Sequence, residues 1–211
     1  MSHTKFIVVR HGETVWNAEG RIQGHLDSQL NEEGLAQALL VGERLAREPF
    51  DQFYCSDLRR ALQTAQPIVK RTDKIPMVTE RLRERNLGIF QGLTSEECQH
   101  KYPQEYRRFH RREVDHVIPG GESVRQLNAR VSDLFDELAV EHTGQTILVV
   151  THGGVLDALH RHVMRIPLER PRDFSIYNAS LNIVRFGNGR WVLDLWGDIS
   201  HLTRDAALDD F

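Results

Sequence analysis

Two apolar, β-rich runs in this chain end in the same way. Phe6-Ile-Val-Val9 runs into Arg10-His11-Gly12, and Thr146-Ile-Leu-Val-Val-Thr151 runs into His152-Gly153-Gly154. Short continuous apolar runs broken by glycine read as strands buried on both faces. Laid side by side in a parallel sheet, they bring two histidines to one edge, at the carboxyl ends of the strands. That edge is where open α/β sheets bind ligands. Arg10 offers a planar fork of donors suited to a phosphate. His11 offers a nucleophilic nitrogen beside it. Gly12 allows close backbone approach to a ligand.

The intervening chain keeps the rhythm of strands alternating with helices. Asn31 caps a helix with Glu32 and Glu33 in its first turn and Leu35, Leu39, Leu40 and Leu45 as its apolar face; Pro49 follows its end. Phe50–Cys55 reads as a second strand. Ser56-Asp57 caps a helix over about Leu58–Lys70, and Ile75–Thr79 reads as a short third strand. The segments from Ala18 to Leu30 and from Leu82 to Thr94 read as loops. Thr94 with Glu97 forms a capping box, and a polar helical stretch interrupted at Pro103 runs to Arg112. After the turn at Pro119-Gly120-Gly121, Val124, Leu127, Val131, Leu134, Phe135 and Leu138 recur at helical spacing. A helix follows His152, and Gly187-Asn188-Gly189 joins two strands, Ser180–Phe186 and Trp191–Asp198, in a hairpin. The expected fold is a three-layer α/β/α single domain over 1–211 with a mostly parallel central sheet. A small helical lid, about 94–120, is inserted after the Arg83-Glu84-Arg85 loop.

Composition narrows the partners. A net charge of −3 over 211 residues lacks the basic excess of a nucleic-acid binder. No apolar run approaches the roughly 20 residues that span a bilayer, and the start of the chain lacks a signal-peptide core, so a cytoplasmic, membrane-free protein is expected. Nothing here excludes a homodimer. Cys55 and Cys98 form no Cys-x-x-Cys pair, and Cys55 reads as a small core residue. Among 11 histidines there is no His-Glu-x-x-His, and His160 and His162, two apart, do not share a helix face, so no metal site is expected.

Two further segments bear on the histidine edge. In Ser56-Asp57-Leu58-Arg59-Arg60 a helix starts beneath a strand end, a natural anion site, and Arg60 in its first turn can point at that edge. Glu84 between two arginines reads either as a surface ion-pair residue or as a general acid beside a bound phosphate. Arg107, Arg108, Arg111 and Arg112 read as a solvated helix face paired with Glu105 and Glu113, or as a patch that steers anions.

In order along the chain, Arg10-His11-Gly12, Ser56 to Arg60, Arg83-Glu84-Arg85 and His152-Gly153-Gly154 resemble the histidine phosphatase superfamily, the fold of cofactor-dependent phosphoglycerate mutase. The resemblance implies a phosphohistidine on His11 and a phosphate pocket of Arg10, Arg60 and His152. It makes Glu84 the proton donor, later the acceptor from water, and lines the pocket with Asn17, Gln23, Gly24 and Gly153. It implies a small phosphorylated metabolite as substrate and no metal. A carboxyl beside a phosphate dianion is expected to resist ionisation, which suits an acid. The short lid and the Arg21-Ile-Gln-Gly-His-Leu-Asp27 loop look like the phosphatase branch. Glu84-Arg85 and Gly197-Asp-Ile-Ser-His-Leu202 also look like members labelled phosphoglycerate mutase. The expected activity is therefore a metal-independent phosphomonoesterase. The alternative is a mutase primed by 2,3-bisphosphoglycerate. A non-catalytic phosphate-binding module needs the arginines but has no use for Glu84.

Overall fold

The computed structural model describes residues 2–202. The elements in chain order are β1 (Thr4–Arg10), α1 (Val15–Ala18), α2 (Glu32–Leu45), β2 (Gln52–Ser56), α3 (Arg59–Thr72), β3 (Met77–Thr79), α4 (Ser95–Lys101), α5 (Pro103–His110), α6 (Val124–Glu141), β4 (Thr146–Thr151), α7 (Gly153–Met164), β5 (Leu181–Gly187) and β6 (Arg190–Asp198). The strands form one sheet in the order β3-β2-β4-β1-β5-β6. β3, β2, β4 and β1 pair in parallel, whereas β5 runs antiparallel to β1 and to β6. The sheet is thus mixed, mostly parallel, as expected. None of the helices among the described residues is long and apolar enough to cross a membrane.

Strand periodicity divides β1 between two cores. Phe6 and Val8 pack with Ile147, Val149, Phe135 and Leu159 on the face covered by α6 and α7. Ile7 and Val9 pack with Leu148, Val150, Val41, Leu45 and Ile68 under α2 and α3. The helices that follow β1 and β4, α2 and α7, therefore lie on opposite faces. Chains that leave adjacent parallel strands on opposite faces open a crevice between the strand ends. The β1–β4 register pairs Arg10 with Thr151, which sets His11 and His152 side by side at that crevice.

Several local expectations are corrected. In α2, Leu35 and Leu39 are 47% and 49% exposed. The buried face is Gly34, Gln37, Ala38, Val41, Gly42 and Leu45. Backbone approach decides this: a Cβ at Gly34 would stand 1.9 Å from the Glu13 carbonyl oxygen, and one at Gly42 2.9 Å from Pro67. The helix turns its small residues and Leu45 inward, and Leu35 and Leu39 out. Gly12 serves the same close packing, since a Cβ there would stand 2.6 Å from the Gly34 carbonyl oxygen. A short helix, α1, leads into the loop and takes in its first residue, Ala18, with Thr14 and Asn17 as a reciprocal capping box.

The start of α3 is not capped by Ser56-Asp57. Its N-cap is Leu58, without a side-chain bond. The Arg59 N–H donates instead to Asp27 Oδ2 at 2.9 Å, from the loop that lies over β1. Asp57 accepts from Arg83 Nε at 2.9 Å, and this bond holds its carboxyl below the usual carboxylate range. Pro103 opens α5, where its missing N–H costs nothing. The α4–α5 segment sits on a small core of Phe90, Cys98 and Ile118. Arg108 pairs with Glu113 as expected, but Glu105 pairs with His116 and Arg112 with Asp157. The β5–β6 turn places Asn188 and Gly189 at φ 53° and 69°, the left-handed pair of a type I′ hairpin.

Candidate active site

His11 is the first residue beyond β1, and its backbone is held on both sides. Its N–H donates to the Thr151 carbonyl at 2.9 Å. Its own carbonyl accepts from the Ala179 N–H at 3.2 Å and from Asn178 Nδ2 at 3.1 Å. Its Nδ1 lies 2.8 Å from the Gly12 carbonyl oxygen, which can only accept, so Nδ1 carries the proton and Nε2 keeps its lone pair. Burial, Arg60 and Arg10 hold the His11 pKa well below its ordinary value, against the opposing pull of the Gly12 hydrogen bond. The imidazole is therefore neutral at neutral pH.

His152 stands across from it, with ring centroids 5.2 Å apart. Burial and then Arg60 push its pKa well down too. His152 Nε2 and Ser56 Oγ share a 2.7 Å hydrogen bond. Its Nδ1 is buried with no hydrogen-bond partner among the described residues.

Arg10 and Arg60 are 2% and 1% exposed. Arg10 Nη1 donates to the Ile176 carbonyl at 2.6 Å. Arg60 Nη2 donates to the Gly24 carbonyl at 2.8 Å, and Nη1 to the Leu26 carbonyl at 3.2 Å, reaching Asp27 only at 3.4 Å. Burial lowers the Arg60 pKa to about 10, which still leaves it cationic. Two buried cations beside two neutral imidazoles make a pocket that calls for an anion.

Glu84 is buried, not a surface ion-pair residue. Its flanking arginines look elsewhere: Arg83 to Asp57, and Arg85 Nε to the Glu122 carbonyl at 3.0 Å. Its carboxylate is held by two backbone donors, the Arg85 N–H on Oε1 at 2.6 Å and the Gly154 N–H on Oε2 at 2.9 Å. A Cβ at Gly154 would stand 2.1 Å from Oε1, so a side chain there would push the carboxylate out of this position. The start of α7 thus ties the acid to the strand that presents His152. The negative charge of Glu84 is felt at Arg60.

Gly24 has φ +57° and supplies the carbonyl that Arg60 grips. Gln23 is buried, and its Oε1 has no hydrogen-bond partner among the described residues. Gly153 opens α7 beside His152. Asn17 Oδ1 accepts from the Thr14 N–H at 3.0 Å, so this atom serves the α1 cap. No local pattern marks Ser56 as a partner of His152, Asn178 as a residue behind His11, or Asp27 as the acceptor at the head of α3. These contacts join residues far apart in the chain. Among the described residues no three His, Cys, Asp or Glu side chains gather as a metal-binding group.

A neutral histidine that keeps its Nε2 lone pair, with two buried arginines and a second histidine near it, is an arrangement suited to phosphoryl transfer. The chain belongs to the histidine phosphatase superfamily, branch 1, whose family model matches residues 6–199. It is 43% identical over 204 residues to a metal-independent phosphoserine phosphatase of Arabidopsis thaliana, covering 95% of this chain and 84% of that one. It is 34% identical to a probable phosphoglycerate mutase of Yersinia pestis, GpmB, over 94% of this chain and 95% of that one. The solved phosphoserine phosphatase of Entamoeba histolytica, in complex with 3-phosphoglyceric acid, superposes with a TM-score of 0.84 at 30% identity, covering 95% of this chain and all (100%) of that one.

Proposed function

We propose that this protein is a metal-independent phosphomonoesterase that works through a phosphohistidine on His11, with phosphoserine or a similar small phosphorylated metabolite as substrate. The observation that carries this reading is the neutral His11, its Nε2 free, between buried Arg10 and Arg60. Phosphoryl transfer needs an in-line nucleophile and neutralised equatorial oxygens more than it needs covalent assistance. In the first step the Nε2 lone pair attacks phosphorus, the P–O ester bond breaks, and Glu84 in its protonated form gives its proton to the departing oxygen. In the second step water attacks phosphorus, Glu84 takes the water's proton, and the N–P bond breaks to release phosphate. Arg10 and Arg60 hold the phosphoryl oxygens throughout. We assign Ser56 as the donor to His152 Nε2, which puts the His152 proton on Nδ1, buried, without a hydrogen-bond partner among the described residues, and suited to one of those oxygens.

Relatives are named both for phosphoserine hydrolysis and for phosphoglycerate mutation, so the product distribution decides between the two readings. Incubation with 3-phosphoglycerate and a trace of 2,3-bisphosphoglycerate is expected to give little 2-phosphoglycerate. A panel of phosphomonoesters, phosphoserine included, is expected to release inorganic phosphate without added metal and without inhibition by EDTA. Rapid interconversion of the two phosphoglycerates would establish the mutase instead.

A further inference from the structure

We infer that His25 is a positioning residue for Glu84, acting through the peptide plane that follows the acid. This rests on Glu84 being the general acid of the reaction proposed above. His25 Nε2 lies 2.8 Å from the Glu84 carbonyl oxygen. A carbonyl oxygen only accepts, so Nε2 carries the proton and donates. That carbonyl and the Arg85 N–H belong to one planar peptide unit. The same Arg85 N–H donates to Glu84 Oε1 at 2.6 Å. A grip on one side of the plane therefore fixes the direction of the donor on the other, and with it the carboxyl. Arg130 from α6 also reaches the Glu84 carbonyl, but at 3.4 Å; its short bonds go to Glu122 Oε1 at 2.7 Å and to the carbonyls of Arg81 and Arg83 at 2.8 and 3.0 Å. His25 thus makes the short bond to the peptide that orients the acid.

His25 is itself fixed from the phosphate side. Its backbone N–H donates to Gln91 Oε1 at 2.5 Å, and the carbonyl of Gly24 just before it accepts from Arg60 at 2.8 Å. One short segment therefore touches both the arginine that meets the phosphate and the peptide that aims the acid. The register between the two is set by a single imidazole, half-buried at the edge of the site.

A residue that aims the acid matters only where the acid matters. His25→Leu removes the donor, whereas His25→Gln keeps an N–H at a similar reach. In single-turnover phosphorylation, measured by rapid quench, His25→Leu is expected to slow the reaction with phosphoserine by about 10- to 100-fold, in line with the loss of a group that orients a reacting one. The burst of nitrophenol from p-nitrophenyl phosphate, whose leaving group departs unprotonated, is expected to stay within about 3-fold of the parent enzyme. His25→Gln should restore most of the phosphoserine rate. In a Glu84→Gln background, His25→Leu should add less than about 2-fold, since residues acting as one unit are not additive. Equal losses on both substrates, an unchanged phosphoserine rate, failure of His25→Gln to rescue, or additive losses would each overturn the inference while leaving the acid in place. If Glu84→Gln alone shows no dependence on the leaving group, the acid assignment falls, and His25's role falls with it.

Discussion

Replacement of His11 by alanine is expected to lower kcat by at least about a thousandfold on every phosphomonoester the protein hydrolyses, roughly 4 kcal/mol of transition-state stabilisation. No neighbour can substitute. His152 is the nearest imidazole, but its Nε2 is engaged with Ser56 and its ring stands 5.2 Å from that of His11. Folding should survive the change, because the strand end is held by backbone bonds to Thr151 and Ala179 that alanine retains. The parent enzyme's pH profile carries a related expectation. The His11 pKa is lowered by burial and by the arginines, so protonation removes the nucleophile only at a pH below the ordinary histidine range. The acid limb of kcat/KM assigned to His11 should therefore lie below about 6.5. A residual rate in His11→Ala within tenfold of the parent would place the nucleophile elsewhere.

Glu84→Gln is expected to separate substrates by their leaving groups. An alkyl alkoxide is too basic to depart without a proton, whereas a nitrophenolate is not. Proton transfer of this kind is typically worth about a hundred- to ten-thousandfold. The variant should lose a factor of that size in single-turnover phosphorylation by phosphoserine and much less in the nitrophenol burst. Steady-state turnover should fall for both substrates, since the same carboxylate takes the proton of water in the second step. Burst kinetics separate the two steps. Glutamine keeps an oxygen that can accept from the Arg85 or the Gly154 N–H, so the loop that holds the acid retains part of its bonding. Equal burst-phase losses on both substrates would mean that Glu84 shapes the pocket without donating a proton.

What could be read ahead of the structure follows a physical line. β1 and β4 are legible because an apolar run that stops at His-Gly is a local pattern, and the parallel register then brings His11 and His152 together without further information. The two arginines and Glu84 were legible only as a set, since each alone also fits a solvated surface. Hydrophobicity points to Leu35 and Leu39 as the buried face of α2, whereas contact between backbones selects Gly34, Ala38 and Gly42. Small residues carry no hydrophobic signal, yet they decide how closely a helix lies. The adjacent Ser56-Asp57 suits a cap of α3 by local pattern, but Asp27 reaches the helix start from the loop over β1, leaving Asp57 to pair with Arg83. His25, Ser56 and Asn178 act across long loops in the same way. Their side chains gain a role only once the sheet has brought distant segments to one edge.

The central claim, a covalent phosphoryl group on His11, is tested most directly by trapping it. The protein is mixed with substrate labelled in its phosphoryl group, quenched in denaturant within the first turnover, digested, and its labelled peptide sequenced. The label is expected on the peptide carrying His11, labile in acid and stable in base as an N–P bond is, and absent from His11→Ala. Label on another residue, or a bond stable in acid, would contradict the account.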